Sequence, residues 1–131
     1  MKIFLVDDNP MFLAATAAYL KDFPNVEVVG MAYSAFEAME MLPGSDAELV
    51  LMDIDMPDLD GLAATVFIKS QPNAPRVMLV TSHHDLKHRI RAGQVGADGF
   101  ISKDKFLTEI RPLLDSASSI STTQSRPAIA A

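Results

Sequence analysis

Leu49-Val50-Leu51-Met52-Asp53 is a run of four apolar residues closed by an acid, with Ile54-Asp55-Met56-Pro57 behind it. A run this short, set between Pro43-Gly44 and the Pro57…Gly61 loop, fits a strand buried on both faces better than a helix. The acid then stands at the carboxyl end of that strand. The same arrangement recurs along the chain. Lys2–Val6 ends at Asp7-Asp8, Val77–Val80 at Thr81, and Gly99–Ser102 at Lys103, while Val26–Met31 supplies a fifth apolar run.

Segments of helical period fill the gaps. Asn9-Pro10 is an N-cap followed by proline at the first helical position, and Phe12, Thr16, Tyr19, Leu20 and Phe23 recur on one face behind it. Ser34 with Glu37 forms a capping box that opens a short helix to about Leu42. A third helix is expected from about Leu62 to Ser70, before Pro72 and Pro75, and a weakly patterned fourth near Asp85–Gly93. The fifth begins near Phe106, where Pro112 is expected to kink it or move its start later. Alternating strands and helices with near-continuous apolar strands define an α/β domain, a parallel sheet with helices on both faces. Such sheets place their sites outside the carboxyl ends of the strands, so Asp7, Asp8, Asp53, Thr81 and Lys103 are expected in one crevice.

Bulk properties narrow the function. The chain has 131 residues, the size of one domain, and no cysteine, which excludes disulfides and thiolate metal sites and suits a reducing, cytoplasmic setting. A net charge of −6 disfavours direct nucleic acid binding. No apolar run approaches the roughly 20 residues of a membrane span. From Ser116 the composition turns to Ser, Thr and Ala with Pro127, so the domain is expected to occupy 1–116 and a disordered tail or cut linker 117–131.

Three aspartates with oxygen donors suit a hard divalent cation such as Mg²⁺, which keeps several waters. Asn9 can cap the first helix, which leaves Asp7-Asp8 one acid too many for capping alone. A carboxylate such as Asp53 can attack phosphorus to form an aspartyl phosphate. That reaction needs charge neutralisation more than proton transfer; the cation and Lys103 can supply it, and the Thr81 hydroxyl can hydrogen-bond a phosphoryl oxygen.

The order Asp7-Asp8, Asp53 with Met56-Pro57, Thr81-Ser82 and Phe100-Ile101-Ser102-Lys103 resembles the receiver domain of two-component response regulators, over about residues 1–116. The resemblance implies a doubly wound, flavodoxin-like sheet in the order 2-1-3-4-5. It implies that Asp53 is the phosphoacceptor and that a sensor histidine kinase or histidine phosphotransfer protein is the donor. Asp7, Asp8, Asp53 and the Ile54 main-chain carbonyl would hold Mg²⁺. Thr81 and Phe100 would form a switch that biases the helix 4–strand 5–helix 5 face, where receivers engage an output domain or protein or form a phosphorylation-dependent homodimer. The protein would be a signalling phosphoacceptor that assists its own phosphorylation and dephosphorylation, not an enzyme.

Phe23-Pro24-Asn25-Val26-Glu27-Val28-Val29-Gly30 and Gly96-Ala97-Asp98-Gly99-Phe100, with Asp104 where many receivers carry proline after the lysine, are similar to receivers that precede helix-turn-helix outputs. The sequence favours a stand-alone receiver slightly over a piece cut from such a regulator. Asp55 and His83 flank the site where the family tunes phosphoryl lifetime. Three alternatives are weaker. Asp53-Ile54-Asp55 resembles the nucleophile motif of haloacid-dehalogenase-type phosphatases, but Met56 and the early acidic pair do not fit it. A phosphorylation-independent module would typically have lost a site residue, and none is lost here. His84 and His88 lie four apart on a probable helix, but without a clear third ligand they make a poor zinc site.

Overall fold

The computed structural model describes residues 1–82 and 86–123. Five strands, β1 (Lys2–Val6), β2 (Glu27–Ala32), β3 (Leu49–Asp53), β4 (Arg76–Thr81) and β5 (Gly99–Ser102), alternate with α1 (Pro10–Leu20), α2 (Ala35–Met41), α3 (Gly61–Lys69), α4 (Leu86–Gln94) and α5 (Phe106–Thr123). All strand pairs are parallel, in the order β2-β1-β3-β4-β5. The expected α/β architecture and order are therefore observed. β2 starts one residue later than its apolar run, because Glu27, exposed at the sheet edge, pairs with Lys2.

Strand alternation divides the core. Phe4, Val6, Val50, Met52, Val77 and Leu79 pack with Ala35 and Ala38 of α2, Leu62, Ala64 and Ile68 of α3, and Ala92 of α4. Ile3, Leu5, Leu49, Leu51, Val80 and Ile101 face the other way, onto Leu13 and Leu20 of α1 and Phe106, Ile110 and Leu114 of α5. β3 is buried at every residue. Truncating one of its leucines to alanine would cost about 2–5 kcal/mol. At the β2 edge Gly30 pairs with Phe4, and a Cβ at residue 30 would stand 2.5 Å from that ring. Glycine is what lets the ring lie across the strand.

The helix starts follow the sequence signals. Asn9 Oδ1 accepts the N–H groups of Met11 and Phe12 at 3.0 and 3.2 Å. Ser34 Oγ accepts the Glu37 N–H at 3.1 Å, and Glu37 Oε1 accepts the Tyr33 N–H at 2.8 Å, one residue before the cap. Asp60, which the sequence pattern did not single out, caps α3 through Ala63 N at 2.9 Å.

α5 is one helix through two places where the sequence pattern suggested a change. Pro112 does not move its start, which stays at Phe106. Pro112 is exposed, whereas Phe106, Ile110 and Leu114 are buried along one stripe, so the packing face never meets the ring. The carbonyl that loses its partner belongs to exposed Thr108, where water can replace the missing N–H. The helix also runs past Ser116 to Thr123. Ser, Thr and Ala do not break a helix as Pro or Gly would. The rest of the expected tail, 124–131, lies outside the described residues, as do His83, His84 and Asp85. Among the described residues no helix is long and apolar enough to cross a membrane.

Candidate phosphoacceptor and cation site

The carboxyl ends of β1, β3, β4 and β5 meet at one edge of the sheet, and each contributes the residue the sequence pattern marks. β1 hands over to Asp7, whose N–H bonds Ala32 O at 3.1 Å and prolongs the pairing with β2. Asp7 is buried, and its Oδ1 accepts the Asn9 N–H at 2.9 Å. Asp8 is exposed and Asp53 is 3% exposed. One carboxylate oxygen from each of Asp7, Asp8 and Asp53 lies within 4.8 Å of the other two.

Lys103 comes in from the end of β5. Its Nζ lies 2.8 Å from Asp7 Oδ2 and 3.5 Å from Asp53 Oδ1. That ammonium compensates Asp7 Oδ2, which is buried and otherwise has no hydrogen-bond donor. Three ionised carboxylates against one ammonium leave two negative charges, the complement of a divalent cation. An oxygen-only donor set, partly open through Asp8, also fits Mg²⁺ better than a softer metal.

The electrostatics bear this out. Burial pushes the Asp53 carboxyl up to about 7, with Asp7 and then Asp8 adding to the rise, while Lys103 and the Asp55 N–H oppose it. Lys103 is held above its ordinary value: burial works against its charge, but contact with Asp7 and Asp53 more than offsets that. Without a cation, then, the fold resists a charged Asp53 near neutral pH.

Thr81 is fully buried at the end of β4, and its hydroxyl donates to Asp55 Oδ2 at 3.5 Å. Phe100 pairs with Leu79 and is half-buried, with the Arg89 guanidinium 5.1 Å above its ring. Asp104, after Lys103, bonds Ser102 Oγ, and there is no cis peptide among the described residues.

The Ile54 carbonyl accepts the Gly61 N–H at 2.9 Å, and the Ile54 N–H bonds Val80 O at 3.1 Å. The Ile54 main chain thus ties the β3–α3 loop to the start of α3 and to β4, and its oxygen keeps a second lone pair. The side-chain oxygens grouped closely enough to hold a cation are those of Asp7, Asp8 and Asp53. Two neighbours went unmarked by sequence. Gly61 is needed because a Cβ there would stand 2.1 Å from Asp53 O. Phe12, read only as a core residue, lays its ring 4.7 Å from Lys103 Nζ. The helical period that puts Phe12 in line with Thr16 is the one signal that could have turned it toward the site.

A doubly wound parallel sheet carries its site outside the carboxyl ends of its strands, and here three carboxylates and a lysine meet there. The chain belongs to the response regulator receiver domain family, whose family model matches residues 3–115. It is 35% identical over 103 residues to the response regulator protein VraR of Staphylococcus aureus (strain Mu3 / ATCC 700698), covering 79% of this chain and 49% of that protein. It is 33% identical over 104 residues to the transcriptional regulatory protein YhcZ of Bacillus subtilis (strain 168), with the same coverage. The chain thus spans about half the length of the curated relatives it matches. Among solved structures, the signal receiver domain of a response regulator NarL from Mycobacterium tuberculosis superposes with a TM-score of 0.81 at 31% identity, covering 89% of this chain and 95% of that one. This chain is a receiver domain of the two-component response regulators.

Proposed function

We propose that Asp53 takes a phosphoryl group from a histidine-phosphorylated donor, a sensor kinase or a phosphotransfer protein. The observation that carries this is Lys103 set between Asp7 and Asp53, at 2.8 and 3.5 Å, one ammonium shared by two buried carboxylates. Asp7, Asp8, Asp53 and the Ile54 main-chain carbonyl would hold Mg²⁺. Bound there, the cation supplies positive charge to the ionised carboxylates and to the phosphoryl oxygens.

The chain's own groups do the rest. An ionised Asp53 Oδ attacks phosphorus, an O–P bond forms, the donor's P–N bond breaks, and the ring nitrogen keeps the electron pair. Lys103 offsets charge on the phosphoryl oxygens, and Thr81 donates its hydroxyl to one of them. Leaving Asp55 for that oxygen empties space behind Thr81, and Phe100 follows inward. Its departure from Arg89 changes the α4–β5–α5 face, a local charge event acting on a two-state element. That face would then engage an output domain or protein, or a second copy of the chain. The protein would act in the cytoplasm, as a phosphoacceptor that assists its own phosphorylation and dephosphorylation and turns over no separate substrate.

The test is transfer from a histidine kinase carrying labelled phosphohistidine, with Mg²⁺ or EDTA. The expected label depends on Mg²⁺, is absent from Asp53→Asn, and is released by hydroxylamine as an acyl phosphate is. Label resistant to hydroxylamine, or retained by Asp53→Asn, would rule out the aspartyl phosphate.

A further inference from the structure

We propose that Phe12 is a positioning residue for phosphoryl transfer, its ring face holding the Lys103 ammonium over Asp53; this rests on Asp53 being the phosphoacceptor. The Asn9 cap fixes Phe12 in the first turn of α1, where its N–H bonds Asn9 Oδ1 at 3.2 Å. Its ring meets Phe106 edge-on, with centroids 5.5 Å apart and planes at 72°. The Lys103 Nζ lies 4.7 Å from the Phe12 centroid, 2.8 Å from Asp7 Oδ2 and 3.5 Å from Asp53 Oδ1. Two carboxylates thus stand on the ammonium and an aromatic face accompanies them.

The choice of partner matters chemically. Lys103 is a flexible four-carbon chain carrying a compact charge, and its side chain is only 21% exposed. A third carboxylate beside it would compete with the incoming phosphoryl oxygens and deepen the negative charge of the site. A purely aliphatic side chain would touch the ammonium without attracting it and leave its position to the two carboxylates alone. An aromatic face attracts the cation through its quadrupole, without formal charge and without a lone pair to hold the N–H groups. The ammonium stays at the site yet free to turn its donors to the phosphoryl group.

The test uses ring fluorination, which drains the negative face with little change in size. The intact chain carries phenylalanine, 4-fluoro-, 3,5-difluoro- or 3,4,5-trifluorophenylalanine at residue 12. The initial rate of Mg²⁺-dependent phosphorylation by phosphoramidate is measured for each, together with the thermal midpoint. The expected result is a stepwise fall in rate, reaching about three- to tenfold for the trifluoro ring, at nearly constant midpoint. Phe12→Leu should be slower by a similar factor. A flat series, or a rate that falls only in step with the midpoint, overturns the positioning role and leaves the phosphoacceptor assignment standing. Failure of the parent chain to take up any phosphoryl group removes both.

Discussion

Asp53 is a carboxyl group whose charge the fold opposes and whose proposed chemistry requires that charge. Its value of about 7, against 3.8 ordinarily, means that between about pH 4 and about 7 the folded protein keeps a proton the unfolded chain has released. The folded state binds more protons, so stability should fall as pH rises through that window, with the penalty complete above it. Thermal midpoints in EDTA should therefore decline from about pH 5 to about pH 8 in the parent and decline less in Asp53→Asn. Mg²⁺ binds the ionised form, so the midpoint gain on adding it should grow over the same range. Parallel pH curves for parent and Asp53→Asn would contradict the assigned cause. Asp8 is exposed, so Asp8→Ala should fold normally. It should weaken Mg²⁺ by about tenfold or more in calorimetry, since even outer partners of a metal site often cost that much; an unchanged affinity would remove Asp8 from the ligand set.

At the scale of elements, most of the site was legible because each of its residues ends an apolar run. Leu49–Met52 before Asp53 and Lys2–Val6 before Asp7 are enough to place two carboxylates at one sheet edge once the sheet is parallel. Main-chain directions were not legible. That the Ile54 carbonyl accepts the Gly61 N–H depends on loop torsions that residue types do not encode. Nor could composition tell that Ser116 leaves α5 unbroken, or that Lys103 lies nearer Asp7 than Asp53. Gly61 joins the two levels, since its N–H pins Ile54 and its missing Cβ makes room for Asp53 O. Gly61→Ala puts a carbon against backbone that cannot swing aside, and should cost about 1–3 kcal/mol and slow phosphoryl uptake. Asp60→Ala, which removes only the α3 cap, should cost about 1 kcal/mol and leave uptake rate nearly unchanged. Chemical denaturation and uptake rates on the two variants separate strain at the site from simple loss of helix stability.

Over the whole molecule, the proposed switch runs from the acidic edge of the sheet to the α4–β5–α5 face, through Thr81 at the end of β4 and Phe100 in β5. The Phe100 ring is half-buried, with the Arg89 guanidinium over its face. Phe100→Ala should take up phosphoryl at close to the parent rate yet lose any phosphorylation-dependent change in self-association or partner binding, measured by sedimentation or calorimetry. Unchanged phosphorylation-dependent binding in that variant would remove Phe100 from the switch. The site itself is tested most directly by intact mass after incubation with phosphoramidate, with Mg²⁺ or EDTA, for the parent chain and Asp53→Asn. The expected result is a single phosphoryl addition that requires Mg²⁺ and is absent from the variant. No addition to a folded parent chain, or the same addition to Asp53→Asn, would contradict the phosphoacceptor role of Asp53.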